Sequence, residues 1–229
     1  MDILHIDEAI IVVNKPAGLP VLADGWKKDA PYLVQLLEQQ FGSAVGSEQG
    51  LWTVHRLDKA TSGVMVFARS GAAHRELNRQ FEHHEAEKLY RLLLQGVPDW
   101  DEKIARHPLR VNVGHKHRTA VDPRAGQPAE TRFRVLERFE AGALAEAQPM
   151  TGRTHQIRAH AHALGYPLLG DVLYGAQPTG LIDRPALHSY RLTITHPATG
   201  QRESYTAIYP PDFLKALERL NTPTSNVAE

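Results

Sequence analysis

The stretch VHRLDKATSGVMVFARS, residues 54–70, decides how the rest of the chain is read. Its second half, Val64-Met65-Val66-Phe67-Ala68, is an unbroken apolar run rich in β-branched and bulky side chains, which predicts a buried strand over 64–69. Thr61-Ser62-Gly63 predicts the turn that feeds it. Just ahead stand His55, Arg56, Leu57, Asp58 and Lys59. A carboxylate between two cations at the mouth of a buried strand has two readings. Asp58 can be a turn residue that caps a backbone N–H, or a reactive acid held on a rigid sheet edge.

Working outward, residues 71–82 predict an amphipathic helix with Ala73, Leu77 and Phe81 on one face. Upstream, ILHIDEAIIVVNKPAG (3–18) reads as two short strands around an Asp7-Glu8 turn, ended by Pro16 and Gly18. Residues 31–41 place Leu33, Leu36, Leu37 and Phe41 at helical spacing after Pro31. SAVGSEQG (43–50) reads as a loop. Downstream, KLYRLLLQG (88–96) predicts a strand with Tyr90, Leu92 and Leu94 on one face. Residues 100–130 are polar and rich in Pro and Gly, hence irregular or hairpin-like. TRFRVLERF (131–139) alternates as a half-buried strand, Thr131, Phe133 and Val135 facing one way and Arg132 and Arg134 the other, with 143–148 as its hairpin partner.

RTHQIRAHAHALG (153–165) reads as a helix with Ile157, Ala161 and Leu164 inward and Gly165 as a left-handed cap. Two late strands, 190–195 and 203–208, flank Pro197-Ala198-Thr199-Gly200; a helix over 211–220 and a frayed end follow. Strands outnumber helices and often adjoin in sequence. That predicts an α+β fold with a largely antiparallel central sheet and flanking helices and loops. No repeat or linker divides residues 1–229, so one domain is expected, with room for two closely packed subdomains.

Composition narrows the chemistry. The chain has no cysteine, which excludes disulfides, thiol catalysis and Cys-ligated zinc. No window approaches the roughly 18 apolar residues of a membrane helix, and the first residues lack a secretory pattern, so a cytoplasmic protein is expected. Lysine plus arginine equals aspartate plus glutamate, 26 each. The balance hides a local excess: Arg106 to Arg134 holds seven bases (Arg106, Arg110, Lys116, Arg118, Arg124, Arg132 and Arg134) against two acids, Asp122 and Glu130. His107, His115 and His117 add to it below neutral pH. Such a segment is either a solvated loop or the electrostatic footprint that phosphates need.

Arg153 stands at the start of a predicted helix, where the dipole favours anions, not cations. Its guanidinium therefore serves either solvent or a partner acid or phosphate, while Thr151 or Thr154 can cap the helix. His155, His160 and His162 do not make a zinc site, because at about 100° per residue His160 points away from the other two. No phosphate-cradling loop, dinucleotide fingerprint or nucleophile elbow is present.

HRLDKATSG (55–63) resembles the signature of the RluA family of pseudouridine synthases, H-R-L-D-x-x-T-S-G. VVNKPAGLPV (12–21), EKLYRLLLQG (87–96), TGRTHQIRAH (151–160) and LGDVLYG (169–175) are similar to further family motifs in the family's order. LHSYRLTITHPATG (187–200) resembles a late family strand, with Ser189 where alanine is expected. The resemblance implies the pseudouridine synthase fold with a catalytic cleft in its middle. It implies an isomerase without cofactor or metal that flips a uridine out of folded RNA, breaks its glycosidic bond, rotates the base and rejoins it through carbon. It implies Asp58, Tyr90 and Arg153 as catalytic residues, Asp58 as the essential acid, Tyr90 helping to remove the proton from the fifth ring carbon, and Arg153 pairing with the aspartate.

By the same resemblance Ile157 lines the uracil pocket, Arg56 fills the space of the flipped nucleotide, and His55, Leu57 and Thr61 contact substrate. Two roles stay open to the carboxylate: trapping positive charge on the sugar, as in retaining glycosidases, or acting as a base on the sugar. A buried Arg153 would keep Asp58 ionised against desolvation. The core motifs begin near residue 3, so a short form without the family's N-terminal S4 RNA-binding domain is expected. RNA, a ribosomal or transfer RNA stem-loop, would then be gripped by the 106–134 segment, Arg118 and Arg124 included, by a monomeric protein. Two rivals remain: a catalytically silent RNA-binding protein or chaperone on the same fold, and a glycoside-processing enzyme, for which no second carboxylate is singled out.

Overall fold

The structure is a computed structural model that describes residues 1–23, 30–41, 50–114 and 118–222. The expected loop at 43–49, the bases at 115–117 and the frayed end from 223 lie outside the described residues. In chain order the elements are β1 (Asp2–Ile6), β2 (Ile10–Lys15), α1 (Leu33–Phe41), β3 (Trp52–Thr53), β4 (Ser62–Ala68), α2 (Gly71–Glu82) and β5 (Glu87–Gln95). Then come β6 (Glu102–Ala105), β7 (Leu109–Val113), β8 (Arg118–Val121), β9 (Thr131–Arg138), β10 (Gly142–Pro149) and α3 (Gln156–Ala163). A 3-10 turn at Val172–Tyr174, β11 (Leu187–Thr195), β12 (Arg202–Thr206) and α4 (Pro211–Asn221) complete them. The fold is α+β: β1–β2, β2–β4, β3–β4, β6–β9, β7–β8, β9–β10 and β11–β12 pair antiparallel, and β11 runs parallel to β4. The chain divides into two compact units, Met1–Tyr90 with His188–Ile208, and Arg91–Leu187 with the residues from Tyr209 onward.

In the first unit β4 is buried along its whole length. It takes β2 on one side, and β3 and the start of β11 on the other. The Asp7 carboxylate closes the β1–β2 turn by accepting the Ala9 and Ile10 N–H groups at 2.7 and 2.8 Å. α1 begins at Leu33, two residues later than its Pro31 start signal. Its first N–H groups bond back to the loop instead, Leu33 to the Pro20 carbonyl and Val34 to that of Val21. α2 has the expected bounds: Ser70 caps it through the Ala73 N–H, and Ala73 and Leu77 join a core with Ile10, Val12, Val64 and Val66. Buried Gln80 docks the helix by bonding both backbone groups of Thr195.

In the second unit the sheet order runs β5-β10-β9-β6, and β7 with β8 forms a separate hairpin. Of the two readings of 100–130, the hairpin-like one holds for β7 and β8, while β6 joins β9. Three short strands form there because their polar outer faces need only one covered side. Arg132 and Arg134 lie exposed on β9 while Thr131 and Phe133 are buried, as the alternation predicts. Leu93, Leu144, Leu169, Ile182, Phe213, Ala216 and Leu220 form the unit's main core. Gly165 ends α3 at φ +90°, its N–H on the His162 carbonyl. No described helix is long and apolar enough to cross a membrane.

Candidate active site

Asp58 sits in a turn whose geometry is held from below. The Asp58 carbonyl accepts the Thr61 N–H at 3.0 Å, and the next carbonyl, Lys59, accepts the Gly18 N–H at 2.8 Å. Lys15, with no solvent exposure, donates its ammonium to the carbonyls of Pro16, Leu19 and Lys59 at 3.0, 2.9 and 3.2 Å. A buried ammonium must be ringed by acceptors, so this lysine fastens the 15–19 segment to the turn that carries Asp58. The aspartate side chain is half-buried, Leu57 and Thr61 are buried, and Arg56 is exposed.

His55 is anchored on the strand it precedes. Its Nε2 accepts the Val66 N–H at 3.1 Å, and its ring stacks on Phe81 with 4.7 Å between centroids. Burial, helped by the nearby Lys88 charge, drives its pKa down to about 3, so the imidazole is neutral at physiological pH.

Tyr90, buried on β5, belongs to the same unit as Asp58. Burial and then the Asp58 charge push its phenol up to about 12, while a hydrogen bond with the Ser189 side chain works the other way. Ser189 and His188 enter β11 beside the Asp58 turn: His188 pairs with Ser62 and Ser189 with Gly63 in parallel register. Gly63 stands at φ +116°, and a Cβ there would lie 2.2 Å from the Ser189 carbonyl, so the T-S-G turn admits only glycine. Ser62 Oγ meets His188 Nδ1 at 2.9 Å, and His188 Nε2 meets the Ala207 carbonyl at 3.2 Å.

The second unit carries Arg153, Ile157, Arg118 and Arg124. α3 starts at Gln156, not at Arg153, because His155 adopts a left-handed φ of 52° that breaks the helical run. Neither Thr151 nor Thr154 caps the helix by accepting from it. Thr151 Oγ1 donates to the Gln156 amide oxygen at 2.7 Å; that oxygen also takes the Arg153 N–H at 3.0 Å, and the Gln156 amide nitrogen donates to the Glu130 carbonyl and Thr131 Oγ1. Gln156 thus organises the turn that presents Arg153. The arginine is exposed, not buried as expected, and its Nε donates to the Pro128 carbonyl at 3.3 Å. Ile157 is buried. Thr119 on β8 clamps the same turn, its hydroxyl donating to the Thr154 carbonyl at 2.8 Å and its N–H to the Tyr174 hydroxyl at 2.9 Å.

Much of the basic segment is already neutralised. Arg106 and Arg132 pair with Glu130, Arg110 with Asp122, and Arg134 with Glu146. Among the described residues of this unit, no carboxylate pairs with Arg118 or Arg124, both exposed.

Of the three histidines weighed for zinc, His155 and His162 do share a face, both against the Tyr174 ring, and His160 turns to Thr131 and the His107 carbonyl. A different trio gathers in the first unit, where Asp7 Oδ2 receives His5 Nε2 at 2.9 Å and His196 Nε2 at 2.8 Å. His196 Nδ1 accepts the N–H groups of Ala198 and Thr199, so its Nε2 carries the proton and donates to the carboxylate. Burial would raise Asp7, but these histidine and backbone bonds lower it to about 2. The trio ties two sheet turns together.

Lys15 and Gln156, which hold the two turns, do not stand out as functional in the sequence. A lysine closing an apolar strand at Asn14-Lys15-Pro16 is the one sequence signal among them, because a charge there must be paired.

The model of the family described as RNA pseudouridylate synthase matches residues 9–163. The chain belongs to that family, in its RluA branch, and is an isomerase acting on RNA. It is 39% identical to the dual-specificity RNA pseudouridine synthase RluA of Salmonella typhi, over 92% of this chain and 93% of that one. It is also 39% identical to an uncharacterised RNA pseudouridine synthase of Mycobacterium bovis, over 96% of this chain and 73% of the relative. Among solved structures, human RNA pseudouridylate synthase domain containing 4 superposes with a TM-score of 0.76 at 27% identity, covering 95% of this chain and 92% of that one.

Proposed function

We propose that this enzyme isomerises uridine in ribosomal or transfer RNA stem-loops through Asp58, Tyr90 and Arg153, acting in the cytoplasm as a monomer that needs no cofactor. The observation that supports the assignment is the setting of the two groups in one unit: Asp58 rides on a turn pinned by backbone bonds and by Lys15, and Tyr90 is a buried phenol on β5. Pseudouridine formation breaks the N1–C1′ bond, forms a C5–C1′ bond, expels the proton from C5 and adds one at N1. Asp58 bears on the first step by stabilising or trapping positive charge on the sugar, or by drawing a proton from it. Tyr90 bears on the last, where its oxygen, once ionised, takes the C5 proton and leaves the C–H electron pair in the ring.

Arg153 is read as the partner of the Asp58 carboxylate. Arg56, exposed beside that turn, is read as filling the gap left by the extruded nucleotide, with His55, Leu57, Thr61 and Ile157 lining or backing the pocket. Arg118 and Arg124 supply phosphate contacts. The dual-specificity name of the Salmonella relative, and the name ribosomal large subunit pseudouridine synthase D of a Neisseria meningitidis relative 36% identical over 96% of this chain, support ribosomal and transfer RNA as the substrates to try first.

The test uses cellular RNA carrying tritium on C5 of its uracils. Incubation with the protein should release tritium into water, because the C5–H bond is lost in every turnover. RNA that is bound without release would support the silent binder instead.

A further inference from the structure

His188 is fully buried on β11, and both of its ring nitrogens are engaged. Nε2 lies 3.2 Å from the Ala207 carbonyl, which can only accept, so Nε2 carries a proton. In the neutral ring Nδ1 is then an acceptor, and Ser62 Oγ, 2.9 Å away, donates to it. Ser62 is 1% exposed, so little solvent competes for its single proton. The backbone brings the same two residues together, because His188 stands opposite Ser62 in the parallel bridge between β11 and β4. Ser62 directly follows Thr61, whose N–H closes the Asp58 turn. The turn is therefore held at both ends: at Lys59 by Lys15 and the Gly18 N–H, and at Ser62 by His188.

We infer that His188 is a positioning residue for Asp58: through Ser62 it locks the exit of the Asp58 turn to β11, so that the carboxylate keeps one direction toward the sugar while the base is detached and rotated. This inference rests on the reading of Asp58 as the essential carboxylate. The need for such a lock is physical. The parallel bridge pairs His188 with Ser62 and Ser189 with Gly63, and a ladder this short gives the turn little grip through its backbone alone. Side chains add the rest. Ser189 Oγ donates to the Val64 carbonyl at 3.1 Å, and Ser62 on His188 is the tie closer to Asp58 in the chain. A reacting group that drifts by about 1 Å can lose about a hundredfold in rate. Donor and acceptor act as a pair, because either one left alone in the interior is a buried unsatisfied group.

The experiment compares the parent with Ser62→Ala, His188→Asn, His188→Gln and Asp58→Asn by tritium release, with KM, RNA affinity and thermal midpoint measured alongside. Asparagine puts an oxygen where Nδ1 was and keeps the acceptor for Ser62. Glutamine reaches the Ala207 carbonyl and drops that acceptor. Each leaves one buried group unsatisfied, so both should lower the midpoint. Ser62→Ala and His188→Gln should lower kcat by roughly 10- to 100-fold, with KM and RNA affinity near those of the parent. His188→Asn should keep kcat within about threefold of the parent despite its lower midpoint. A kcat for Ser62→Ala within about twofold of the parent overturns the inference, and so does a kcat that falls with the midpoint alike in the Asn and Gln variants. Where Ser62→Ala is too unstable to assay, the contrast between Asn and Gln decides. Asp58→Asn separates the two readings. If it keeps turnover, the role of Asp58 fails and takes that of His188 with it; if it loses turnover while Ser62→Ala and His188→Gln keep theirs, the inference about His188 fails alone.

Discussion

Arg158 grips Asp171 through two parallel hydrogen bonds, Nε to Oδ2 at 2.7 Å and Nη2 to Oδ1 at 2.8 Å, with both side chains buried. The pair joins the TGRTHQIRAH segment to the LGDVLYG segment, and the guanidinium lies 5.0 Å from the centre of the Tyr174 ring. Tyr174 in turn bonds Thr119 and His155, so the turn presenting Arg153 is braced from behind. Removing one partner strands a charge in the interior. Asp171→Ala should therefore cost about 3–5 kcal/mol, read from the urea midpoint. Replacing both residues, Arg158→Met with Asp171→Leu, should recover part of the loss. A single-variant cost below about 1 kcal/mol, the level of an exposed pair, would show that the brace is not what holds the segment.

Asp58→Asn removes the negative charge and keeps the shape of the turn, whose hydrogen bonds run through backbone carbonyls and Lys15. Turnover should vanish while RNA affinity stays within about threefold of the parent. Tritium release within about tenfold of the parent rate would reject the carboxylate as the essential group.

Arg118 and Arg124 are exposed, and among the described residues of their unit no acid neutralises them, unlike Arg106, Arg110, Arg132 and Arg134. Changing both to alanine should weaken RNA binding at low salt and flatten the dependence of affinity on salt by about one to two ions. The same change in Arg106 and Arg132, whose charge is shared with Glu130, should do less. Equal salt slopes for parent and variant would move the phosphate contacts elsewhere.

His55 makes stability depend on pH in a definite direction. Its folded pKa, about 3, lies below the ordinary imidazole value of 6.5, so the unfolded chain binds the extra proton first. The stability His55 supports is complete above pH 6.5 and is lost progressively as pH falls toward 3. His160, lowered by burial, adds to the same trend. His55→Gln keeps an acceptor for the Val66 N–H without titrating. Its urea midpoint should fall less between pH 7.5 and 4.5 than that of the parent. Identical falls would assign the acid sensitivity to other groups.

Periodicity and turn chemistry were enough for the β1–β2 hairpin, α2, the β9–β10 hairpin and the buried β4, because each is specified by neighbours within a few residues. The Asp58 turn was also visible, as a charged cluster meeting an apolar run, and resemblance supplied the order of the motifs. What joins those motifs was not visible in sequence. Lys15 to Lys59, Arg158 to Asp171, Gln156 to Thr131 and Ser189 to Val64 link residues far apart in the chain or set by side-chain direction, and no local pattern encodes such pairs. The late start of α3 had the same cause: a left-handed His155 is tolerated because Tyr174 and Gln156 hold its surroundings, a tertiary override of helix propensity. The sequence alone determined most of the elements and, by resemblance, which acid to propose as reactive; only the folded structure decided which buried side chains hold that acid's turn and the arginine turn in place, since burial is what makes an unpaired polar group costly.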